Sequence, residues 1–400
     1  MVRISCGQER GRAAVRAVLL VAAAVCAWPL GGPAWLAGLV PALSPFGALL
    51  SAAAGVFSLW LLGAGAVALA SVFVPRVFCR WVCPVGTCRD AVAYRAKPRA
   101  WVGRAPRIGL ALVAVGVGAA LAGYPLFGWL DPLVLFNAAF GAARRGLTAR
   151  DWAAAAGLPL LLVFSRLAPG LWCGRLCPLG ALQDLLRAPL RFRGSSSGAR
   201  GAEGAALSRR VFLGLGLGAG YRLALPPSRG AEAEVIRPPA SGTPARFTRL
   251  CVRCGACVRA CPNGLLKFGG VGAGWAGVLA PEVCFEDSYC PASCTACGEA
   301  CPTGAIAKFT PAQKGASPMG VARVDDEACL LGLSRECGAC VAACPHKALD
   351  LLWDPVRLSG RVVVHPQACT GCGYCEYVCP TSPRAIRIKA IRGATIRNGG

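Results

Sequence analysis

A chain of 400 residues has room for two or three domains, and with 55% hydrophobic and only 16% charged residues it is too apolar for an ordinary soluble protein. Its 24 cysteines fall in tight short-range groups, which argues for metal binding and against a disulfide-stapled secreted domain. Lys and Arg outnumber Asp and Glu by 43 to 19, but they flank apolar runs instead of lining a basic groove, which argues against nucleic acid and for orientation in a lipid membrane.

Between Arg16 and Arg76 there is no charged residue. About 20 apolar residues cross a bilayer, so this stretch can hold two spans, divided by the Pro- and Gly-rich piece from Pro29 to Pro45. A third uncharged run goes from Ile108 to Leu130. A fourth goes from Trp152 to Leu171, with Arg166 placed to snorkel. Residues 1–190 are thus expected to form a four-span α-helical membrane bundle. Arg3, Arg10, Arg12 and Arg16 precede the first span, and Arg76, Arg80, Arg89, Arg95, Lys97, Arg99, Arg104 and Arg107 separate the second from the third. The first outer loop carries no charge, which puts both ends of the bundle in the cytoplasm. Arg144, Arg145 and Arg150, beside Asp131 and Asp151, depart from that rule in the second outer loop.

Two C-x3-C-P pairs lie at matching places: Cys79 and Cys83 after the second span, Cys173 and Cys177 after the fourth. Together they supply four thiolates on the expected cytoplasmic face, enough for a further membrane-associated cluster or for thiol–disulfide chemistry. Cys88 could join them, whereas Cys6 and Cys26 have no cysteine neighbours.

Residues 191–233 read as a basic linker with the low-complexity piece Gly194-Ser195-Ser196-Ser197-Gly198. Within it Ser208-Arg209-Arg210-Val211-Phe212-Leu213 opens a weakly hydrophobic Gly- and Leu-rich run, and Ala231-Glu232-Ala233 follows. This has the form of a twin-arginine export signal with Arg209 and Arg210 at its head, here internal to the chain. The alternative is a short connecting helix that starts with two arginines. Gly214, Gly216, Gly218 and Gly220 follow no strand and precede no suitably spaced acid, so they are not a dinucleotide loop.

Residues 234–400 carry the strongest signal. Cys251, Cys254, Cys257 and Cys261 before Pro262 form C-x2-C-x2-C-x3-C-P, and Cys369, Cys372, Cys375 and Cys379 before Pro380 repeat it. This is the bacterial ferredoxin spacing, in which three thiolates on one turn serve one 4Fe-4S cluster and the fourth reaches another. Zinc knuckles use more widely separated C-x2-C pairs, often with His, and the chain has only two His. Cys329, Cys337, Cys340 and Cys344 keep the closing pattern with a longer first gap. So do Cys290, Cys294, Cys297 and Cys301, where Cys284 competes with Cys290 for the first position. Four 4Fe-4S clusters in an α+β bacterial-ferredoxin-like polyferredoxin domain are expected. Ala305-Ile306-Ala307 and Ala385-Ile386-Arg387-Ile388 read as strands after cluster helices.

On these motifs residues 1–190 resemble NapH-type membrane proteins, and residues 207–388 resemble NapG-type ferredoxins. The resemblance implies a quinol dehydrogenase module of the inner membrane. In it the quinone pool would feed a periplasmic ferredoxin domain that passes electrons to a cytochrome or an oxidoreductase such as nitrate reductase. It also implies that the first motif pairs with the fourth and the second with the third. Cys379 would then complete the Cys251 set, Cys261 the Cys369 set, Cys344 the Cys290 set and Cys301 the Cys329 set, with sequential pairing as the competing assignment. This sequence fuses the two parts and lacks the two ferredoxin motifs that NapH-type proteins carry after their last span. No catalytic triad is visible and no His lies in a span, which excludes a bis-histidine haem b. A membrane-bound iron–sulfur accessory protein for metalloenzyme maturation or redox sensing is the alternative, and a tethered cytoplasmic ferredoxin a third reading.

Overall fold

The computed structural model describes residues 6–28, 33, 35–57, 59, 61–94, 96, 100–141, 149–193, 209–221, 235–270, 274–275, 277–286, 288–354 and 359–391. The amino-terminal half is helical and internally repeated. Its first unit has α1 (Cys6–Ala27), α2 (Leu36–Ala42), α3 (Pro45–Ala53), α4 (Leu61–Phe73), α5 (Val77–Trp81) and α6 (Pro84–Val92). After α7 (Ala100–Arg104), the second unit has α8 (Ile108–Leu121), α9 (Pro132–Gly141), α10 (Ala149–Leu167), a π-helical turn at Trp172–Leu176 and α11 (Pro178–Arg193). In each unit a short helix opened by proline, α3 or α9, lies between the two long helices, and a C-x3-C-P pair follows the second. The proline fits because the first helical N–H has no partner in any case.

No single described helix is long and apolar enough to cross a membrane; α2 and α3 together would be, but they meet at 88°. The expected four spans are therefore not matched helix for helix. From Arg16 to Arg76 the chain makes α1, the bent pair and the 13-residue α4. The third apolar run stops being helical at Leu121, because Gly123 (φ +83°) and Phe127 (φ 60°) turn the chain left-handed. The fourth becomes α10, with Asp151 in its first turn and Pro159 inside. A run of apolar residues measures hydropathy, and these breaks do not change it.

Residues 209–221 form α12, which packs on α8. A Cβ on Gly214 would lie 2.6 Å from the Ala114 Cβ, and one on Gly218 or Gly118 would run into Val115 O or Leu215 O. The pair is thus a small-residue contact in which backbones touch. Gly194–Gly198, Ser208 and Ala231–Ala233 lie outside the described residues.

The carboxy-terminal half has the expected α+β character. Four one-turn helices, Ala256–Ala260, Ala296–Glu299, Ala339–Ala343 and Tyr374–Tyr377, each begin within a cysteine motif. Six strands, β1 (Leu266–Phe268), β2 (Pro281–Val283), β3 (Gly320–Val324), β4 (Leu349–Asp354), β5 (Ser359–Val364) and β6 (Ile386–Ala390), form three antiparallel pairs, β1–β2, β3–β6 and β4–β5. The strand expected near Ala385 is β6. Ala305-Ile306-Ala307 is not a strand: Ala305 and Ile306 are buried, and the Ala307 N–H bonds Ala240 O at 3.0 Å, in an irregular segment that offers no ladder.

The halves meet at the connections expected to face outward. Lys267 Nζ pairs with Asp151 at 2.8 Å, Asn137 Nδ2 donates to Cys254 O at 2.9 Å, and Arg253 donates to Pro125 O at 3.4 Å. Helix α1 runs from one side to the other. Near its start Arg12 donates to Arg80 O, beside the first C-x3-C-P pair, and near its end Cys26 O accepts from Arg259 of the ferredoxin half.

Candidate iron–sulfur centres

Left-handed residues wind the regular cysteine turns. Arg253 (φ 57°) and Gly255 (φ +74°) stand where Gly371 (φ +69°) and Gly373 (φ +79°) stand in the last motif. Such a turn brings three thiols to one side. The closing cysteine then ends its one-turn helix in extended backbone, at ψ 113° for Cys261 and 108° for Cys344, and leaves towards another site.

Burial raises the pKa of several of these cysteines, and the thiols that act on them, together with two cysteine-lined cavities, identify four quartets. Burial pushes Cys254 up to about 12, with Cys301 and Cys251 adding to it, and Cys257 and Cys251 also feel Cys301. Burial likewise takes Cys297 to about 12, helped by Cys290, Cys261 and Cys294. Cys329, Cys337, Cys340 and Cys379 line one cavity; Cys344, Cys369, Cys372 and Cys375 line another. Each closing cysteine therefore completes the site of its sequence neighbour, first with second and third with fourth. The pairing implied by resemblance, first with fourth and second with third, is overturned. The physical reason is local: the β1–β2 pair lies between the first two motifs and β4–β5 between the last two, so each pair of motifs folds back on itself. Cys290, not Cys284, stands with the second quartet. Cys284 instead follows β2, its N–H bonded to Leu265 O at 3.0 Å.

Several features fit a 4Fe-4S cluster at these quartets. Ile306 N–H points at Cys301 Sγ (3.4 Å) and Ala348 N–H at Cys344 Sγ (3.3 Å), and hydrogen bonds to cluster sulfurs are one of the means by which a protein tunes such a centre. Lys314 is 2% exposed, with Nζ donating to Pro291 O at 2.5 Å and Cys294 O at 3.1 Å, and no carboxylate pairs with it among the described residues. A buried ammonium without a counter-ion costs several kcal/mol. Four thiolates around a bound iron–sulfur cube, net negative, would supply that counter-ion. Among the described residues no three candidate ligands converge on a single metal ion.

The two cluster pairs adjoin. Cys290 N–H donates to Cys372 O at 2.8 Å, and the rings of Tyr289 and Tyr374 stack with centroids 4.2 Å apart.

Cys79, Cys83, Cys173 and Cys177 are brought together as a fifth quartet, with the repeat visible in its details. Cys83 Sγ accepts from Gly86 N–H at 3.4 Å, and Gly180 N–H bonds Cys177 in the same way. Burial, then Cys173, pushes Cys79 up to about 12. Gln183 Nε2 donates to Cys79 Sγ at 3.1 Å, while Arg76, paired with Asp184, donates to Cys173 O at 2.9 Å. Charge pattern alone marks Arg76 as an orientation residue and does not mark Gln183 or Lys314. Neither of these has a fixed spacing from a cysteine motif that could have marked it.

Residues 250–331 and 335–382 match a family model described as a 4Fe-4S dicluster domain, and residues 56–108 and 151–195 match one described as a 4Fe-4S binding domain. The second model's two stretches contain the two C-x3-C-P pairs. The methylamine utilization ferredoxin-type protein MauM of Paracoccus denitrificans is 36% identical over 184 residues, 44% of this chain and 78% of the relative. The ferredoxin-type protein NapG of Escherichia coli is 34% identical over 167 residues (40% and 71%). NapF of Escherichia coli is 36% identical over 149 residues (37% and 81%). No solved structure matches.

Proposed function

The chain belongs to the ferredoxin-type family of 4Fe-4S electron-transfer proteins, and from that premise we propose that it takes electrons from a membrane quinol and delivers them to a redox partner outside the cytoplasm. The amino-terminal half is the membrane-embedded part in this reading, and α12 carries the chain through to the ferredoxin half. One observation supports it above the others. The ferredoxin half is seated on the side of the expected outer loops of the helical half, through Asn137 and Cys254, while Arg76 and Arg89 lie with the fifth quartet at the other end of α1.

A 4Fe-4S cluster supplies a one-electron carrier, and the protein sets spacing, access and charge around it. Cys251, Cys254, Cys257 and Cys301 would hold the one nearest the helical half, since Asn137 bonds the Cys254 carbonyl. Cys261, Cys290, Cys294 and Cys297 come next, then, across the Cys290–Cys372 contact, the fourth quartet and the third. The fifth quartet could hold one further cluster.

Anaerobic purification with iron and sulfide analysis, followed by EPR during titration with a quinol, tests this reading. The clusters should become reduced by the quinol. Four or five clusters that stay oxidised under quinol, yet accept electrons from dithionite, would favour the accessory role instead. Protease accessibility in sealed membranes tests the location: Arg209→Lys with Arg210→Lys should leave the ferredoxin half shielded from external protease, and unchanged digestion would reject export.

A further inference from the structure

The second quartet differs from the others in owning a buried lysine. Lys314 sits in a turn of 3-10 helix at Ala312–Ala316, and its ammonium reaches back 20 residues and more to the loop that carries Cys290 and Cys294. There it bonds two backbone carbonyls, Pro291 O and Cys294 O, and its charge acts on the Cys290 thiol. The same charge reaches His346, beside Cys344 of the fourth quartet. It therefore stands where the two cluster pairs adjoin, close to the Cys290–Cys372 backbone contact and the Tyr289–Tyr374 stack.

We propose that Lys314 is a positioning and charge-setting residue that raises the reduction potential of the cluster held by Cys261, Cys290, Cys294 and Cys297, and so makes that site the collecting point between the two cluster pairs. The inference rests on the reading that the quartets hold 4Fe-4S clusters. It does not depend on quinol as the donor. One-electron reduction of such a site adds a unit of negative charge and moves no atom. A fixed positive charge a few ångströms away, in an interior where Coulomb interactions are weakly screened, favours the reduced state over the oxidised one. The two carbonyls hold the ammonium in place but cannot neutralise it, so its field falls on the thiolates. A surface lysine would be screened by water and salt and would do little.

Potentiometric titration of the anaerobically purified full chain with dithionite and mediators, followed by EPR, reads each cluster's midpoint. In Lys314→Gln, with iron content unchanged, one midpoint should fall and the remaining ones should hold. Lys314→Arg should restore it in large part. Unchanged midpoints in Lys314→Gln at full iron content would overturn the proposal. If Lys314→Gln loses one cluster's iron, Lys314→Arg decides: retention with a near-normal midpoint shows that the charge is what the site requires, and equal loss in Lys314→Arg assigns the side chain a purely structural role. The reductant here is dithionite, so a protein that fails to react with quinol could still pass this test.

Discussion

Ser44 and Asp131 cap two different helices and bond each other. Ser44 Oγ accepts from Gly47 N–H at the start of α3 and donates to the Asp131 carboxylate, which accepts from Leu133 N–H at 2.9 Å at the start of α9. The pair joins the two repeats of the helical half, and both residues are buried, at 2% and 1% exposure. Asp131→Ala would leave a helix end uncapped and the Ser44 hydroxyl proton without its acceptor, a loss of about 1–3 kcal/mol. Asp131→Asn keeps a capping oxygen and should cost less. Thermal unfolding in detergent measures both, and equal losses would show that the cap is not what matters.

Cluster pairing makes a sharper prediction about iron content. With first and second motifs sharing ligands, Cys257→Ala combined with Cys301→Ala strikes one quartet and should remove one cluster. Cys257→Ala combined with Cys379→Ala strikes two. Pairing of the first motif with the fourth reverses that pattern, so iron and sulfide analysis of the two double variants separates the arrangements.

The cysteine motifs were legible because ligand spacing is a local property: a C-x2-C-x2-C turn needs only its own backbone, and Gly371 and Gly373 advertise the left-handed positions it requires. Who completes each quartet was not, since that depends on β1–β2 and β4–β5 folding each motif pair back on itself. The choice of Cys290 over Cys284 depends on the same three-dimensional context. Hydropathy placed the apolar runs, and the Pro- and Gly-rich piece from Pro29 to Pro45 marked the division where Ser44 caps α3, but neither marked the breaks at Gly123 and Phe127, where left-handed residues interrupt helix inside uncharged sequence. Lys314 was invisible because its partners are carbonyls in a loop 20 and 23 residues away.

The α8–α12 contact predicts opposite signs for two neighbouring glycines. A Cβ at Gly218 would strike Val115 O, whereas one at Gly216 meets nothing within 4 Å. Gly216→Ala should be neutral or stabilising by up to about 1 kcal/mol, the gain in helix propensity. Gly218→Ala should push α12 off α8 and destabilise by about 1–3 kcal/mol, as overpacking does. Unfolding midpoints of the pair check this, and a Gly218→Ala variant as stable as Gly216→Ala would mean that α12 does not rest on α8 through these glycines.

The fifth quartet can be tested through residues that hold no metal. A Cβ on Gly86 would stand 3.0 Å from Cys79 O, and one on Gly180 the same distance from Cys173 O, whereas Gly174 faces open space. Each glycine also directs its N–H at the second cysteine of its pair. Gly86→Ala and Gly180→Ala should therefore shift the backbone that fixes the spacing between the two thiols of a pair, while Gly174→Ala should not. If the quartet holds a cluster, the first two variants lose one cluster's iron relative to Gly174→Ala, and Cys79→Ala loses the same amount. If the four thiols work by disulfide exchange, iron is unchanged in all of these variants. The difference then appears in alkylation under oxidising conditions, where Cys79→Ala exposes an unpaired thiol that the parent protein protects. The two outcomes exclude each other, because a cysteine bound to iron in a cluster is not also half of a disulfide.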